Sequence, residues 1–258
     1  MSPSFKNIIY ESVDGVAKIT INRPPLNILN AETIGEIVSA LKNAQSDKKI
    51  GVIVIAGAGD RAFSAGVDIK EHLPDKIDAT LEGFHKMFHV LADINIPIVV
   101  AVNGVALGGG CELALASDMV IASEQAKFGQ PEISVGAIPT VAAALLPKLI
   151  GRKKALELIF TGDIISAQEA REIGLVNKVV PSDKLAETTD ELVKKLKEKS
   201  PIVLKLVRKA VYQGLDKEFK KALDGVEDVY LNELIKTEDA VEGLKAFLEK
   251  RKPKWKAK

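Results

Sequence analysis

Two six-residue apolar-rich runs, Ile8 to Val13 and Val16 to Ile21, flank Asp14-Gly15, which predicts two antiparallel strands joined by a tight turn. Pro24-Pro25 ends the second strand, because successive prolines cannot continue a ladder. From Ala31 to Ala44 the spacing changes: Ile34, Ile37, Val38 and Leu41 recur every three or four positions, as on one buried face of a helix. Ile50 to Ala56 and Ile96 to Val102 are continuous β-branched runs of the kind that fill a strand covered on both faces. Strand, helix and strand in this order point to an α/β protein with parallel crossovers. The last third is helical in pattern, with helices predicted over 153–161, 167–174, 183–199, 201–214 and 240–250. Its lysines and glutamates read as solvated faces.

The strand ending at Val102 runs into the most informative stretch, Asn103 to Thr140. Gly108, Gly109 and Gly110 turn the chain into a run of helix formers, Leu113 to Ala116. A glycine turn that opens a helix leaves amide N–H groups unpaired at the positive end of the helix dipole, where an oxygen gathering negative charge is stabilised. Glu112 falls in the first turn of that helix, and two readings of it stand: a helix-terminal charge or a working acid. Glu132 follows Gln130-Pro131 among the apolar Phe128, Ile133, Val135 and Ile138, which predicts partial desolvation and a raised pKa. Two such acids around one pocket can manage a single water between them.

A second glycine-bearing loop, Gly57 to Lys70, also follows a parallel-type strand, where open α/β sheets bind ligands. Ala65 and Gly66 are small, so a ligand can approach the backbone and take the Val67 amide, with a second amide from the Gly108–Gly110 turn completing a two-donor oxyanion hole. The other reading is an ordinary surface loop. Neither loop has the GxxxxGK[ST] or GxGxxG pattern, which removes the usual support for nucleotide hydrolysis or nicotinamide chemistry.

Composition narrows the classes further. With 47% hydrophobic and 28% charged residues and a net charge of +1, the chain is ordinary for a globular protein and gives no argument for nucleic acid or an anionic membrane as partner. The basic end, KRKPKWKAK, does not change that balance. No stretch approaches the ~20 apolar residues of a membrane span, and MSPSFKNIIYESVDG lacks a signal-peptide core. The single cysteine, Cys111, excludes an internal disulfide and suits a reducing, cytoplasmic compartment; beside the glycine turn it reads as a nucleophile or a small buried filler. His85 and His89, four apart, share a helix face but have no third ligand, so no metal site is expected; lining an acyl pocket with Phe84 and Phe88 fits better.

Four collinear segments, FSAGVDIKE (63–71), NGVALGGGCELALASD (103–118), FGQPEISVGAIP (128–139) and TGDIISAQEAREIGLVNKVVP (161–181), resemble signatures of the crotonase superfamily of enoyl-CoA hydratases and isomerases. The resemblance runs from the first strand to FLEKRKP (247–253), nearly the whole chain. It implies a crotonase-like ββα superhelix over 1–200 and a C-terminal helical region, 201–258, for oligomerisation and for covering CoA. It implies an acyl-CoA thioester as partner, no cofactor beyond the CoA of the substrate, and a homotrimer or homohexamer. By the same resemblance the amides of Val67 and Gly109 hold the thioester carbonyl, while Glu112 activates water and Glu132 protonates Cα. The substrate and its CoA would be met by Leu26, Ala65, Gly66, Asp68, Ile69, Lys70, Gly108 and Thr140, with Phe247 and Lys250 reaching CoA from a neighbouring subunit.

This chain departs from the common hydratase pattern after Pro139: IPGAGGTQR is replaced by a segment with Thr140 and Ala142-Ala143, which implies a reshaped pocket. PTVAAALLPKLIG, with FSAGVDIKEH and the Phe84 to Leu91 pattern, is similar to cyclohexa-1,5-diene-1-carbonyl-CoA hydratases. Three classes follow: an enoyl-CoA hydratase, another enzyme on the same scaffold such as an isomerase or acyl-CoA hydrolase, or a non-catalytic CoA-binding protein. Retention of both glutamates favours the first.

Overall fold

A computed structural model describes residues 5–258. The long strands form one sheet of order β1-β2-β3-β5-β7-β10, namely β1 (Ile8–Val13), β2 (Val16–Ile21), β3 (Val52–Gly57), β5 (Ile98–Val102), β7 (Met119–Ser123) and β10 (Lys178–Val180). Only β1 is antiparallel to its neighbour. A second sheet is built from three-residue strands in the order β4 (Ala62–Ser64), β6 (Val105–Leu107), β8 (Lys127–Gly129) and β9 (Ile164–Ser166).

The chain passes repeatedly through both sheets and then a helix. β3 and β4 lead to α2 (Ile77–Asp93), β5 and β6 to α3 (Gly109–Leu115), and β7 and β8 to α4 (Thr140–Ile150). The first turn, β1 and β2 followed by α1 (Ala31–Ser46), joins the short-strand side through a single parallel bridge, Leu29 to Val67. This is an α/β fold of ββα turns wound into a superhelix, as the family resemblance implies.

Alternate residues of the parallel strands enter two cores. Ile53, Ile55, Ile98, Val100 and Val102 face the main core with α1 and Phe63, while Val52, Val54, Val99 and Ala101 face Leu185 and Val193 of α7 (Leu185–Lys197). Burial on both faces explains why these strands read as unbroken apolar runs.

Beyond α5 (Arg152–Thr161) and α6 (Ala167–Glu172), the chain continues through α8 (Pro201–Gly214), α9 (Phe219–Asp228) and α10 (Glu238–Leu248). Arg208 anchors α8 to the core: its Nε donates to both oxygens of Asp118 at 3.0 Å, and its terminal nitrogens donate to the carbonyls of Leu91 and Ile94 at the end of α2. Asp118 also accepts the Tyr212 hydroxyl at 2.6 Å and the Ile98 amide at 2.8 Å. The basic end of the chain is tied down as well. Trp255 donates to the Glu198 carbonyl at 2.8 Å, and buried Asp239 accepts the Lys256 and Ala257 amides and the Ser200 hydroxyl.

Candidate active site

The two glycine-bearing turns meet. A β-carbon at Gly66 would lie 3.4 Å from the Gly109 nitrogen, and one at Gly109 would lie 2.9 Å from Cγ2 of Val67. Gly66 has φ +98°, a backbone that a side chain would strain, and a β-carbon there would also strike the Leu107 carbonyl at 2.9 Å. In the bridge to Leu29 the bonds are Leu29 N–H to Gly66 O and Asp68 N–H to Leu29 O, so the Val67 amide points away from Leu29. Gly109 is the first residue of α3, where no intrahelical partner exists for its N–H. Two free main-chain donors on turns in contact, both in the wall of one cavity, are the parts from which an oxyanion hole is built.

Both glutamates line the same cavity of about 460 Å³, together with Ala65, Gly66, Val67, Gly108, Gly109 and Thr140. Glu112 is 2% exposed, and its Oε1 accepts the amides of Val141 at 2.8 Å and Ala142 at 2.7 Å. These are the second and third residues of α4, so the positive end of that helix grips the carboxylate. Burial outweighs that grip and, with the nearby Glu132 charge, pushes the Glu112 pKa up to about 7. Glu132 is carried on the single 3-10 turn Pro131–Val135, and Gly108, at φ +49°, leaves the space its Oε1 occupies. Burial raises its pKa too, opposed in part by a hydrogen bond from its own backbone amide and, less, by His72. Its Oε2 is buried without a hydrogen-bond partner among the described residues, a condition that normally marks a place for water or a ligand.

Asp68 and Ile69 also lie in the wall, Asp68 capping the short turn Ile69–His72 through the Lys70 amide at 3.1 Å. Lys70 itself is exposed outside the wall. Leu26 supports the site rather than lining it: its carbonyl accepts the Ala65 amide at 3.0 Å, and Ile28 takes the lining position. Within one chain Phe247 and Lys250 stand away from the cavity, with Phe247 83% exposed on α10.

The histidine stretch needs correction. Phe84 does line the main cavity, but His85, Phe88 and His89 line a second one of about 580 Å³ on the other side of Thr140. Around α2, His85 and His89 diverge from Phe84 by about 100° and about 140°, which turns them to the other side, whereas Phe88, one turn on from Phe84, packs edge-to-face against it at 4.9 Å and bridges the two cavities. His85 Nε2 bonds to the Thr140 hydroxyl at 2.8 Å instead of standing ready for a metal. Cys111 is 3% exposed, absent from the cavity wall, and burial pushes its thiol up to about 12, which makes it a filler and not a nucleophile. The sequence reading missed His72 in the wall and the amides of Val141 and Ala142. Pro139, immediately before α4, was the available sign that a helix start lay there.

The family model described as enoyl-CoA hydratase/isomerase matches residues 11–258. The chain is 39% identical over 254 residues to a short-chain-enoyl-CoA hydratase of Clostridium acetobutylicum, covering 95% of this chain and 96% of that one. It is 37% identical over 255 residues to a crotonyl-CoA hydratase of Syntrophomonas wolfei, covering 96% and 97%. The crystal structure of an enoyl-CoA hydratase from Bacillus anthracis superposes with a TM-score of 0.94 at 36% identity, covering 98% of this chain and all of that one. A wall of two acids and two amide turns, on a superhelix shared with these proteins, leads to one conclusion: the chain belongs to the enoyl-CoA hydratase/isomerase family.

Proposed function

We propose that this protein is an enoyl-CoA hydratase, a lyase that adds water across the α,β double bond of an acyl-CoA thioester. The observation that carries this reading is the convergence of Glu112, Glu132 and the Val67 and Gly109 amides on one cavity. The thioester oxygen sits between the two amides, which draw electron density from Cβ and stabilise the enolate that forms after attack; one such donor is worth about 3 kcal/mol. The Oε1 of Glu112 is occupied by the α4 amides, leaving its second oxygen to orient water and take its proton as the water oxygen bonds to Cβ. Glu132, whose Oε2 is buried without a partner among the described residues, delivers a proton to Cα, and a proton returning from Glu112 restores it. The sum is one water added and no cofactor consumed.

The names of the hydratase relatives support the same class. The narrower reading, a cyclic dienoyl-CoA substrate, is favoured by Thr140 and the α4 segment, which put a hydroxyl and a helix start against the cavity. Assembly as a homotrimer or homohexamer through residues 201–258 is supported by the apolar face left exposed there, including Phe219, Phe247 and Leu248. Such assembly is the arrangement in which Phe247 and Lys250 would meet the CoA of a neighbour, and a cytoplasmic setting goes with the lone thiol.

The test is turnover of a panel of thioesters, crotonyl-CoA and a cyclic dienoyl-CoA among them, by the wild type and by Glu132→Gln. The expected result is hydration by the wild type and a loss of at least about 100-fold in the variant. Unchanged hydration in Glu132→Gln overturns the mechanism, and a strong preference for short linear substrates overturns the cyclic reading.

A further inference from the structure

His85 and Thr140 meet between the two cavities, and neither belongs to the acid pair or the amide pair. Thr140 is the first residue of α4, and the next two residues supply the amides that grip Glu112. Apart from that grip, the start of the helix has few ties to the rest of the chain through its own side chains. Pro139 occupies the capping position and has no side-chain acceptor, so no neighbouring side chain caps the first turn and its amides turn to Glu112 instead. The preceding segment, Ile133 to Ile138, is largely exposed. The Thr140 hydroxyl therefore provides a side-chain tether from this first turn into the body of the protein. It ends on α2, whose Phe84 and Met87 are buried in the main core. A half-buried imidazole can serve as donor or acceptor to a hydroxyl, so the contact forms with either neutral tautomer.

We infer that His85 is a positioning residue: its bond to Thr140 fixes the first turn of α4 so that the Val141 and Ala142 amides hold Glu112 in the orientation that activates water. This inference rests on the hydratase reading. It gives one face of α2 a role in the chemistry without contact with the reacting atoms. It also accounts for Phe84 and His85 being adjacent in sequence but serving different cavities, one ring in the wall and the next bracing the wall from behind. Displacing an amide donor by a few tenths of an ångström weakens a charge-assisted hydrogen bond and misorients the carboxylate it holds.

The experiment is a double-mutant cycle on the full-length enzyme, with His85→Ala, Thr140→Val, their combination and the conservative Thr140→Ser. The substrate is whichever panel thioester the wild type hydrates fastest. Loss of the bond in either single variant should lower kcat about tenfold, with KM within about threefold of wild type. The double variant should be no slower than the slower single, because both remove the same contact. Thr140→Ser, which keeps the hydroxyl, should recover most of the rate. Melting temperatures identify any variant that fails to fold, and Thr140→Ser against Thr140→Val then carries the comparison alone. Multiplicative losses in the double variant, a change confined to KM, or a His85→Ala enzyme with wild-type kcat overturns the inference and leaves the hydratase reading standing. A folded wild type that hydrates no thioester in the panel removes the hydratase reading, and this role with it.

Discussion

Oε1 of Glu132 lies 2.7 Å from the point that a β-carbon at Gly108 would occupy. The carboxylate uses the space of a missing side chain, and Gly108 adopts φ +49°, ψ −126°, a conformation that only glycine holds without strain. Replacing Gly108 with alanine should therefore act twice. It should lower stability by about 1–3 kcal/mol, the usual size of a backbone outlier forced on an L-residue. It should also push Glu132 out of place, reducing kcat by about 100-fold or more while thioester binding through the amides declines less. Chemical denaturation and steady-state hydration kinetics on the same preparation check both parts; a variant with wild-type kcat would show that Glu132 does not work from this position.

Glu112 gives a prediction with a defined pH window. Its folded-state pKa is raised from 4.5 to about 7, so between these values the folded chain keeps a proton that the unfolded chain has released. Stability from this group is therefore greatest below pH 4.5, declines as pH rises through the window, and carries its full cost above 7. Glu112→Gln removes the titration while keeping an oxygen for the Val141 and Ala142 amides. At pH 8 the variant should be more stable than wild type by up to about 3 kcal/mol, with the gain vanishing near pH 4.5, and hydration should fall by at least about 100-fold. Thermal melts of both proteins across this range test the sign; a gain that grows toward acid pH would contradict it.

The anchor of α8 concerns stability alone. Arg208 and Asp118 have side chains 5% and 15% exposed, and the guanidinium also meets the carbonyls that end α2 and stacks on Tyr212 at 4.1 Å. Arg208→Met leaves Asp118 with the Tyr212 and Ile98 donors but no cation, and breaking such a buried pair costs about 3 kcal/mol or more. The expected outcome is a lower melting temperature with kcat per folded molecule unchanged within about threefold, measured by calorimetry and hydration assays.

How much of this was legible depended on the reach of each interaction. The hairpin of Ile8–Val13 and Val16–Ile21 and the helix Pro201–Gly214 were readable to the residue, because a D-G turn and a Ser200-Pro201 start are local signals. The second sheet was not. Three-residue strands such as Ala62–Ser64 and Val105–Leu107 are too short to show a period of two, and the stretches around them read as loops. Of the candidate site, the glutamates and the glycine turns stood out because their neighbours in sequence are also their neighbours in space. The grip of Val141 and Ala142 on Glu112, 29 and 30 residues away, and the tie of His85 to Thr140 across 55, depend on how helices pack, which no local pattern reports. Leu26, expected from the resemblance to meet the substrate, reaches the site loop within this chain through its carbonyl, which accepts the Ala65 amide, a backbone contact that residue type does not report.

The chain's only sulfhydryl, Cys111, is sealed beside Glu112 in α3, with burial holding its acidity near 12. An alkylating reagent at neutral pH can reach it only during openings that lift this short helix from its seat. The rate of covalent labelling thus becomes a built-in clock for exposure of the Glu112 segment, readable by intact-mass spectrometry without any added tag. Ligands that clasp the neighbouring amides should slow that clock, and the slowing reports their affinity.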